Sequence, residues 1–339
     1  MKYLMITFVL GFSFCFVSCS SNQEKKSAGQ VIKQEDIQFS ILDSLSKQIA
    51  GQADRPELYV RRAQQYLKMG DVNSANQDIL KALQLDSLDS DLYVKLSEIY
   101  FAKGKFQNGV LALNRAIELD NNNVTALLNL AEVNIVAGRT QEAVQLIDQA
   151  MKVDDINPRS YFLRGMVWLK VGDTIHAIKN FQQALVVDDD FYEANAELGL
   201  LYAGKKNDLA IDFYQSAIRL DPDNASVYYS LGYFYQETER YQEAIKTYDL
   251  LLKKFPKYAL AYYNKGYIYL LAYEDYDKAI RFFSKAIEYK PSYANAYYNR
   301  GYAQLLKGNV KEAGLDFEKC LEVKPDHEMA KKRLAELKN

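Results

Sequence analysis

The sequence of 339 residues has few of the side chains that usually carry catalysis, with only two histidines and three cysteines. The histidines, His176 and His327, lie far apart, and no cysteine or carboxylate cluster stands beside either at metal-ligand spacing. The phosphate-binding patterns GxxxxGK[ST] and GxGxxG and the nucleophile pattern GxSxG are also missing. We therefore predict no enzyme activity, no catalytic residue, no metal site and no cofactor.

The sequence also has no large excess of charge of one sign, because it contains 42 basic and 44 acidic residues. A net charge of -2 gives no bulk attraction for polyanions, so we predict no nucleic-acid partner. The residue that stands out in the composition is tyrosine, with 27 copies. Three tyrosine-rich phrases, YYSLGYFYQ from Tyr228, YYNKGYIYL from Tyr262 and YYNRGYAQL from Tyr297, are nearly the same.

The N-terminus reads as a secretory signal, with Lys2 followed by an apolar run over residues 4–17 that is too short for a stable membrane span. The stretch FVSC ending at Cys19 resembles the bacterial lipoprotein cleavage motif, although Phe16 stands where that motif usually has leucine. The resemblance implies a signal peptide over 1–18, a lipid on Cys19 and a flexible tether over 19–35. A cleaved signal with an incidental cysteine is the alternative.

If the resemblance holds, the protein is lipid-anchored in a bacterial cell envelope. Ser20 after the cysteine favours the outer membrane on the same analogy. Cleavage would leave only Cys19 and Cys320, so the sequence predicts no disulfide framework.

The rest of the chain is periodic. Ala82 opens a series of alanines spaced 34 residues apart, in KALQLD, RAIELD, QAMKVD and QALVVD. Small residues recur seven and nineteen positions before these alanines. Small residues at fixed spacing indicate helices that approach each other closely. Later copies of the marker stand at Ala217, Leu251, Ala286 and Cys320.

This pattern resembles the tetratricopeptide repeat, a 34-residue helix-turn-helix unit. The sixth copy shows the family's residues at Tyr228, Leu231, Gly232, Tyr235, Ala244, Tyr248, Leu251 and Pro256. The resemblance implies an all-α, right-handed superhelical solenoid of about eight repeats with capping helices. The predicted repeats are 56–89, 90–123, 124–157, 158–191, 192–224, 225–258, 259–293 and 294–327.

Terminal helices are predicted over 36–55 and 328–339. Their apolar residues are spaced for one helical face, at Phe39, Leu42, Leu45 and Ile49 and at Ala330, Leu334 and Leu337. All six prolines lie at repeat boundaries, where a missing N–H is tolerated. Left-handed turn positions are predicted between paired helices at Gly70, Gly104, Gly138, Gly172 and Gly308.

The resemblance also implies that positions 2, 5, 9, 12 and 13 of each first helix line a groove that holds partner segments. In the first three repeats these positions are polar and mostly acidic, and include Glu98 and Glu132. In repeats six to eight they include six tyrosines, which we predict to bind a partner: Tyr229, Tyr233, Tyr263, Tyr267, Tyr298 and Tyr302.

Asn264 and Asn299 at position 6 are predicted to supply hydrogen bonds to the partner's backbone. Positions 12 and 13 of the last two repeats add Leu270, Leu271, Leu305 and Leu306. A second set of tyrosines, which includes Tyr228 and Tyr269, is assigned to packing. The alternative for the groove tyrosines is that they too only pack between neighbouring first helices.

These features predict a membrane-anchored, non-catalytic scaffold that binds a protein or peptide segment. The alternative is a glycan-binding accessory or carrier subunit of a cell-envelope complex, because tyrosine-rich grooves also stack on sugar rings.

Overall fold

The computed structural model describes residues 34–337 of the chain. All regular elements in that range are α-helices, which confirms the predicted all-α class. Eighteen helices follow one another: α1 (Gln34–Gly51), α2 (Pro56–Lys68), α3 (Val72–Leu85), α4 (Ser90–Ala102), α5 (Phe106–Leu119), α6 (Val124–Val136), α7 (Thr140–Val153), α8 (Pro158–Lys170), α9 (Thr174–Val187), α10 (Tyr192–Gly204), α11 (Leu209–Leu220), α12 (Ala225–Glu237), α13 (Tyr241–Lys254), α14 (Ala259–Leu271), α15 (Tyr276–Tyr289), α16 (Ala294–Leu306), α17 (Val310–Val323) and α18 (Glu328–Glu336).

Each predicted repeat range contains two of these helices, which we call its A helix and its B helix. Several A helices begin where a side chain caps free backbone N–H groups, as the oxygen of Asn123 does for Ala126 at the start of α6. Pro56 and Pro158 occupy the first positions of α2 and α8, where no helical hydrogen bond is lost.

The helices form two compact units, one ending at Asp173 and the other beginning at Thr174. The division falls between α8 and α9, inside the range predicted for the fourth repeat. Within each unit every helix packs against the next one in the chain. Successive A helices also touch, among them α4 with α6 in the first unit and α12 with α14 in the second. This stacking of helix pairs is that of an α-solenoid.

In every repeat whose two helices lie in the same unit, the core is the contact between the A and B helices. The marker alanines of the B helices are fully buried, and so are the B-helix aromatics Phe181, Tyr248, Phe283 and Phe317. Gly232 of α12 lets Tyr248 approach, because a Cβ at residue 232 would lie 2.6 Å from a ring carbon of that tyrosine. Small residues in the A helices therefore make room for an aromatic ring.

The predicted left-handed turns are present at Gly70, Gly104, Gly138, Gly172 and Gly308, with φ between 67° and 85°. Three residues that are not glycine also have positive φ, namely Lys206, Glu239 and Glu274. They occupy the corresponding turns of repeats five, six and seven, so the chain keeps the turn where the glycine is missing.

The terminal helices depart from the prediction in detail. α1 starts at Gln34, so residues 34 and 35 of the predicted tether are helical, while the rest of that tether lies outside the described residues. Leu45 and Ile49 are buried as predicted, but Phe39 is 59% exposed. Phe39 therefore does not share the packed face of α1, and this end of the helix contacts α2 through Gln38, whose backbone and side-chain oxygens both accept from Nε2 of Gln65. Ala330 of α18 is fully buried.

Between residues 34 and 337, no helix combines the length and the apolar character needed to cross a bilayer. The predicted signal peptide and Cys19 lie outside the described residues.

Candidate functional site

The predicted groove tyrosines lie on three neighbouring A helices of the second unit, α12, α14 and α16. Each helix carries two of them four residues apart, which places the pair on one helical face. We call these six residues the tyrosine strip, and each pair a rung. The two rings of each rung are stacked: Tyr229 on Tyr233 at 6.2 Å between centroids, Tyr263 on Tyr267 at 6.4 Å, and Tyr298 on Tyr302 at 6.4 Å.

The first tyrosine of each rung is half-buried and belongs to the packing. Each one touches the aromatic ring of its own B helix and an aromatic residue that precedes the next A helix. The centroid distances are 6.3 Å from Tyr229 to Tyr248 and 5.7 Å to Tyr258, 5.6 Å from Tyr263 to Phe283 and 4.7 Å to Tyr293, and 5.7 Å from Tyr298 to Phe317 and 5.0 Å to His327.

The second tyrosine of each rung faces outward. Tyr233 is 44% exposed and Tyr267 is 37% exposed, which is unusual for rings on a packed A helix. Tyr302 is less exposed than either of these tyrosines. The guanidinium carbon of Arg333 in α18 lies 5.1 Å from its ring centroid. Two rungs of the strip are thus open, and the third is partly covered by the C-terminal helix.

The two asparagines do not have the role predicted for them. Asn264 and Asn299 are buried, and their side-chain amides are used inside the protein. Nδ2 of Asn264 donates to the hydroxyl oxygens of Tyr229 at 3.3 Å and Tyr248 at 2.9 Å. Nδ2 of Asn299 donates to the hydroxyl oxygen of Tyr263 at 2.8 Å. Position 6 therefore links one A helix to the first tyrosine of the preceding repeat.

The predicted leucines also divide into two groups. Leu271 is 53% exposed and Leu306 is 43% exposed, so both can contact a partner. Leu270, in contrast, is 2% exposed and packs in the core with Phe283, which makes its assignment to the groove wrong. The open surface consists of aromatic rings flanked by leucines.

Burial raises the pKa of three strip hydroxyls above the ordinary tyrosine value. Desolvation raises the pKa of Tyr263 to about 12, and it also raises the pKa of Tyr229. The pKa of Tyr233 is raised by desolvation and by the nearby carboxylate of Glu237. These phenols remain hydrogen-bond donors at neutral pH.

The A helices of the first unit offer a different surface, which is charged. Arg159 of α8 reaches α6, where its guanidinium donates to Glu132 Oε2 at 2.6 Å and to Asn129 Oδ1 at 2.7 Å. Burial raises the pKa of Glu98 on α4, and the charges of Lys95 and Arg159 oppose that rise. The groove prediction included Glu98 and Glu132 but missed Arg159. Arg159 is at position 2 of the fourth repeat, so the same rule could have identified it from the sequence.

Residues 34–337 contain no cluster of histidine, cysteine and carboxylate side chains that could hold a metal ion. Cys320 is fully buried, and desolvation raises the pKa of its thiol to about 11. A thiol in that position stays protonated at neutral pH and is a poor nucleophile.

Sequence comparison identifies the repeats. Models described as tetratricopeptide repeat match residues 60–124 and 229–288, 100–160, and 294–327, and a model described as TPR repeat matches 201–239 and 270–308. Together they cover more than half of the chain, at the spacing of the helix pairs described above. The chain is a tetratricopeptide repeat protein.

Solved structures agree with this fold. The chain is similar to PilF of Pseudomonas aeruginosa, with 20% identity, a TM-score of 0.52, and coverage of 61% of this chain and 94% of PilF. It is also similar to a chain of the APC/C hetero-tetramer Cut9–Hcn1, with 19% identity, a TM-score of 0.52, and coverage of 90% of this chain and 60% of that one. At these identities the likeness concerns the fold alone. No curated protein matches the chain significantly.

Proposed function

We propose that this protein is a non-catalytic scaffold that holds a peptide segment of a partner protein on its tyrosine strip. Tetratricopeptide repeats generally serve protein–protein interaction, so the class of function follows from the fold. The choice of the strip rests on one observation: Tyr233 and Tyr267 are exposed on two A helices that contact each other.

The chemistry of tyrosine supports this choice. A tyrosine ring offers a large contact area with few rotatable bonds, and its hydroxyl tolerates water while the surface is empty. Such residues are enriched among those that dominate binding free energy. The first tyrosine of each rung stiffens this surface, because it is held by packing and, for Tyr229 and Tyr263, by an asparagine of the next repeat.

The decisive experiment compares two tyrosines of α14 that are two residues apart. Tyr267 is exposed, whereas Tyr269 stacks on Phe282 at 5.4 Å with the Lys278 ammonium 5.0 Å from its centroid. We expect Tyr267→Ala to keep the melting temperature and to lose roughly 2 kcal/mol or more of binding free energy, the usual loss at a dominant contact. Tyr269→Ala should instead melt early.

Peptides selected from a display library on the immobilised full chain serve as the first ligands for this comparison. A glycan array is the parallel arm. If Tyr267→Ala also melts early, the strip is only core and the proposal fails. If glycans bind through Tyr267 and no peptide does, the surface is a carbohydrate site.

We further propose that the scaffold is anchored through a lipid on Cys19, in the outer membrane of a bacterial cell envelope. The support is the motif FVSC and the polar residues that follow it. Labelling with a palmitate analogue should disappear in Cys19→Ala, and the variant should accumulate as a soluble or unprocessed species. Unchanged labelling in Cys19→Ala would show that the lipid is attached to another residue, and would refute Cys19 as the site.

A further inference from the structure

The third rung of the tyrosine strip already holds a side chain of the protein itself. The guanidinium carbon of Arg333 lies 5.1 Å from the centroid of Tyr302. The same guanidinium donates to Glu336 Oε2 at 3.0 Å. The ring of Tyr302 lies parallel to that of Tyr298, with an angle of 4° between their planes. A stacked tyrosine pair in this position is therefore a seat for a guanidinium.

The other two rungs repeat this arrangement without an internal cation. Tyr229 with Tyr233, and Tyr263 with Tyr267, have nearly the same centroid spacing as the third rung, with interplanar angles of 16° and 28°. Among residues 34–337, no lysine or arginine lies over the ring of Tyr233 or Tyr267, and both residues are exposed. Arg333 of α18 places a guanidinium on the third rung, and a partner protein can place guanidinium groups on the first two.

Charge on the surrounding surface favours a cation. Groove positions 2, 5, 9, 12 and 13 of α12, α14 and α16 carry no lysine or arginine, although the chain has 42 such residues. They do carry one carboxylate, Glu237, whose charge acts on the neighbouring Tyr233. The face of an aromatic ring is itself electron-rich and attracts cations.

We infer that the partner segment is basic and places arginine side chains on the rungs of Tyr233 and Tyr267. This inference rests on the proposed function and narrows it, since it names the chemistry of the peptide. Arginine suits the seat better than lysine, because its planar guanidinium stacks on a ring and is weakly hydrated.

The spacing of the rungs adds a sequence requirement. Neighbouring packed helices lie about 8–10 Å apart, so successive rungs are separated by about that distance. A polyproline II segment rises about 3.1 Å per residue with three residues per turn, so side chains about 9 Å apart recur on one face every third residue. The partner segment should therefore carry arginines three residues apart in an extended, proline-compatible stretch.

The experiment uses the full-length protein and fluorescent twelve-residue peptides. One peptide carries two arginines three residues apart in a proline-rich background, and its match carries citrulline, which keeps the planar group and removes the charge. We expect about fivefold tighter binding per arginine over citrulline, the value for a partly desolvated cation on a ring. Moving the arginines to a four-residue spacing should abolish most of that advantage.

Variants connect the effect to the rungs. Tyr267→Leu keeps apolar area and removes one of the two π faces, so the arginine peptide's advantage over the citrulline peptide should fall from about 25-fold to about fivefold. Arg333→Ala frees Tyr302, and a peptide with a third arginine should then gain about fivefold over the two-arginine peptide, a gain not seen with the wild-type protein.

The outcomes separate the two levels of the proposal. Equal binding of both peptides that still depends on Tyr267 would overturn the cation inference and leave the peptide-binding strip intact. An arginine advantage that is the same in Tyr267→Leu as in the wild-type protein would show that another surface attracts the charge, and would also overturn the inference. If neither peptide binds and library selection finds no strip-dependent ligand, the proposed function itself fails.

Discussion

Replacing Gly301 by alanine tests whether close approach of paired helices requires a glycine in this solenoid. A Cβ at residue 301 of α16 would lie 2.9 Å from a ring carbon of Phe317, 3.0 Å from the Cβ of Asp316 and 3.1 Å from the carbonyl oxygen of Ala313. Contacts this short force the neighbours to move. One of the three is backbone, and a second belongs to a side chain that is held in place.

Asp316 is held by Arg300, whose guanidinium forms two hydrogen bonds to its carboxylate, at 2.9 and 2.6 Å. The same guanidinium donates to Ser284 Oγ at 3.1 Å. The neighbours of Gly301 therefore have little freedom to relax. Overpacking of this kind costs about 1–3 kcal/mol, and it opposes the gain of about 1 kcal/mol that alanine brings to a helix interior.

Gly314 of α17 provides the matched control. A Cβ there would meet only the Cδ1 of Leu337, at 3.9 Å, an ordinary contact distance. Gly314→Ala should thus stabilise by about 1 kcal/mol through helix propensity alone. The difference between the two variants isolates the packing cost, which we expect to be about 1–3 kcal/mol in favour of Gly314→Ala.

The assay is thermal unfolding combined with hydrogen exchange. For a chain of this size, 1 kcal/mol shifts the melting temperature by about 2–4 °C or somewhat less. Coupling between nearest neighbours should confine the loss of exchange protection in Gly301→Ala to α15 through α18. Equal melting temperatures for the two variants would refute the close-approach argument, and uniform loss of protection would refute nearest-neighbour coupling.

Two further predictions concern single residues. Glu239 has φ of 59°, so Glu239→Gly should stabilise the protein by about 0.5 kcal/mol. The reverse type of change at the corresponding turn of repeat eight, Gly308→Glu, should destabilise it. If urea unfolding gives both variants a change of the same sign, this explanation is contradicted. Burial raises the pKa of Glu197 from its usual 4.5 to about 7, so the stability that comes from its bound proton is present below pH 4.5 and is lost as pH rises through 7. Glu197→Gln should therefore gain stability relative to the wild type between pH 5 and 8, and a difference that does not change with pH would contradict the burial of that carboxyl.

Most of the fold was predictable because one spacing is repeated along the chain. The 34-residue period located the paired helices, and the glycines marked five turns where left-handed backbone is needed. The turns at Lys206, Glu239 and Glu274 could not be found from residue type, because side chains rarely adopt positive φ. There the stacked helices on either side impose the turn.

The candidate site was predictable only in part. Helical spacing placed the six tyrosines on three A helices, yet it could not tell which ring of each pair would be exposed. The inward role of Asn264 and Asn299 depends on the distance between neighbouring A helices, which sequence spacing does not give. Arg333 is far from Tyr302 in sequence, and only the folding of α18 onto the last repeat brings the two together.

The asparagine that links neighbouring A helices has a consequence for how such a surface can lengthen. The seventh repeat contributes a tyrosine hydroxyl on one side and an amide on the other, through Tyr263 and Asn264 of α14. A tandem duplication of this unit would create a new hydroxyl–amide pair at its junction without any further substitution. Deletion of the same unit would also leave a matched pair, because the amide of Asn299 would then meet the hydroxyl of Tyr229. The number of rungs can thus change by whole repeats during evolution while these hydroxyls and amides keep their partners.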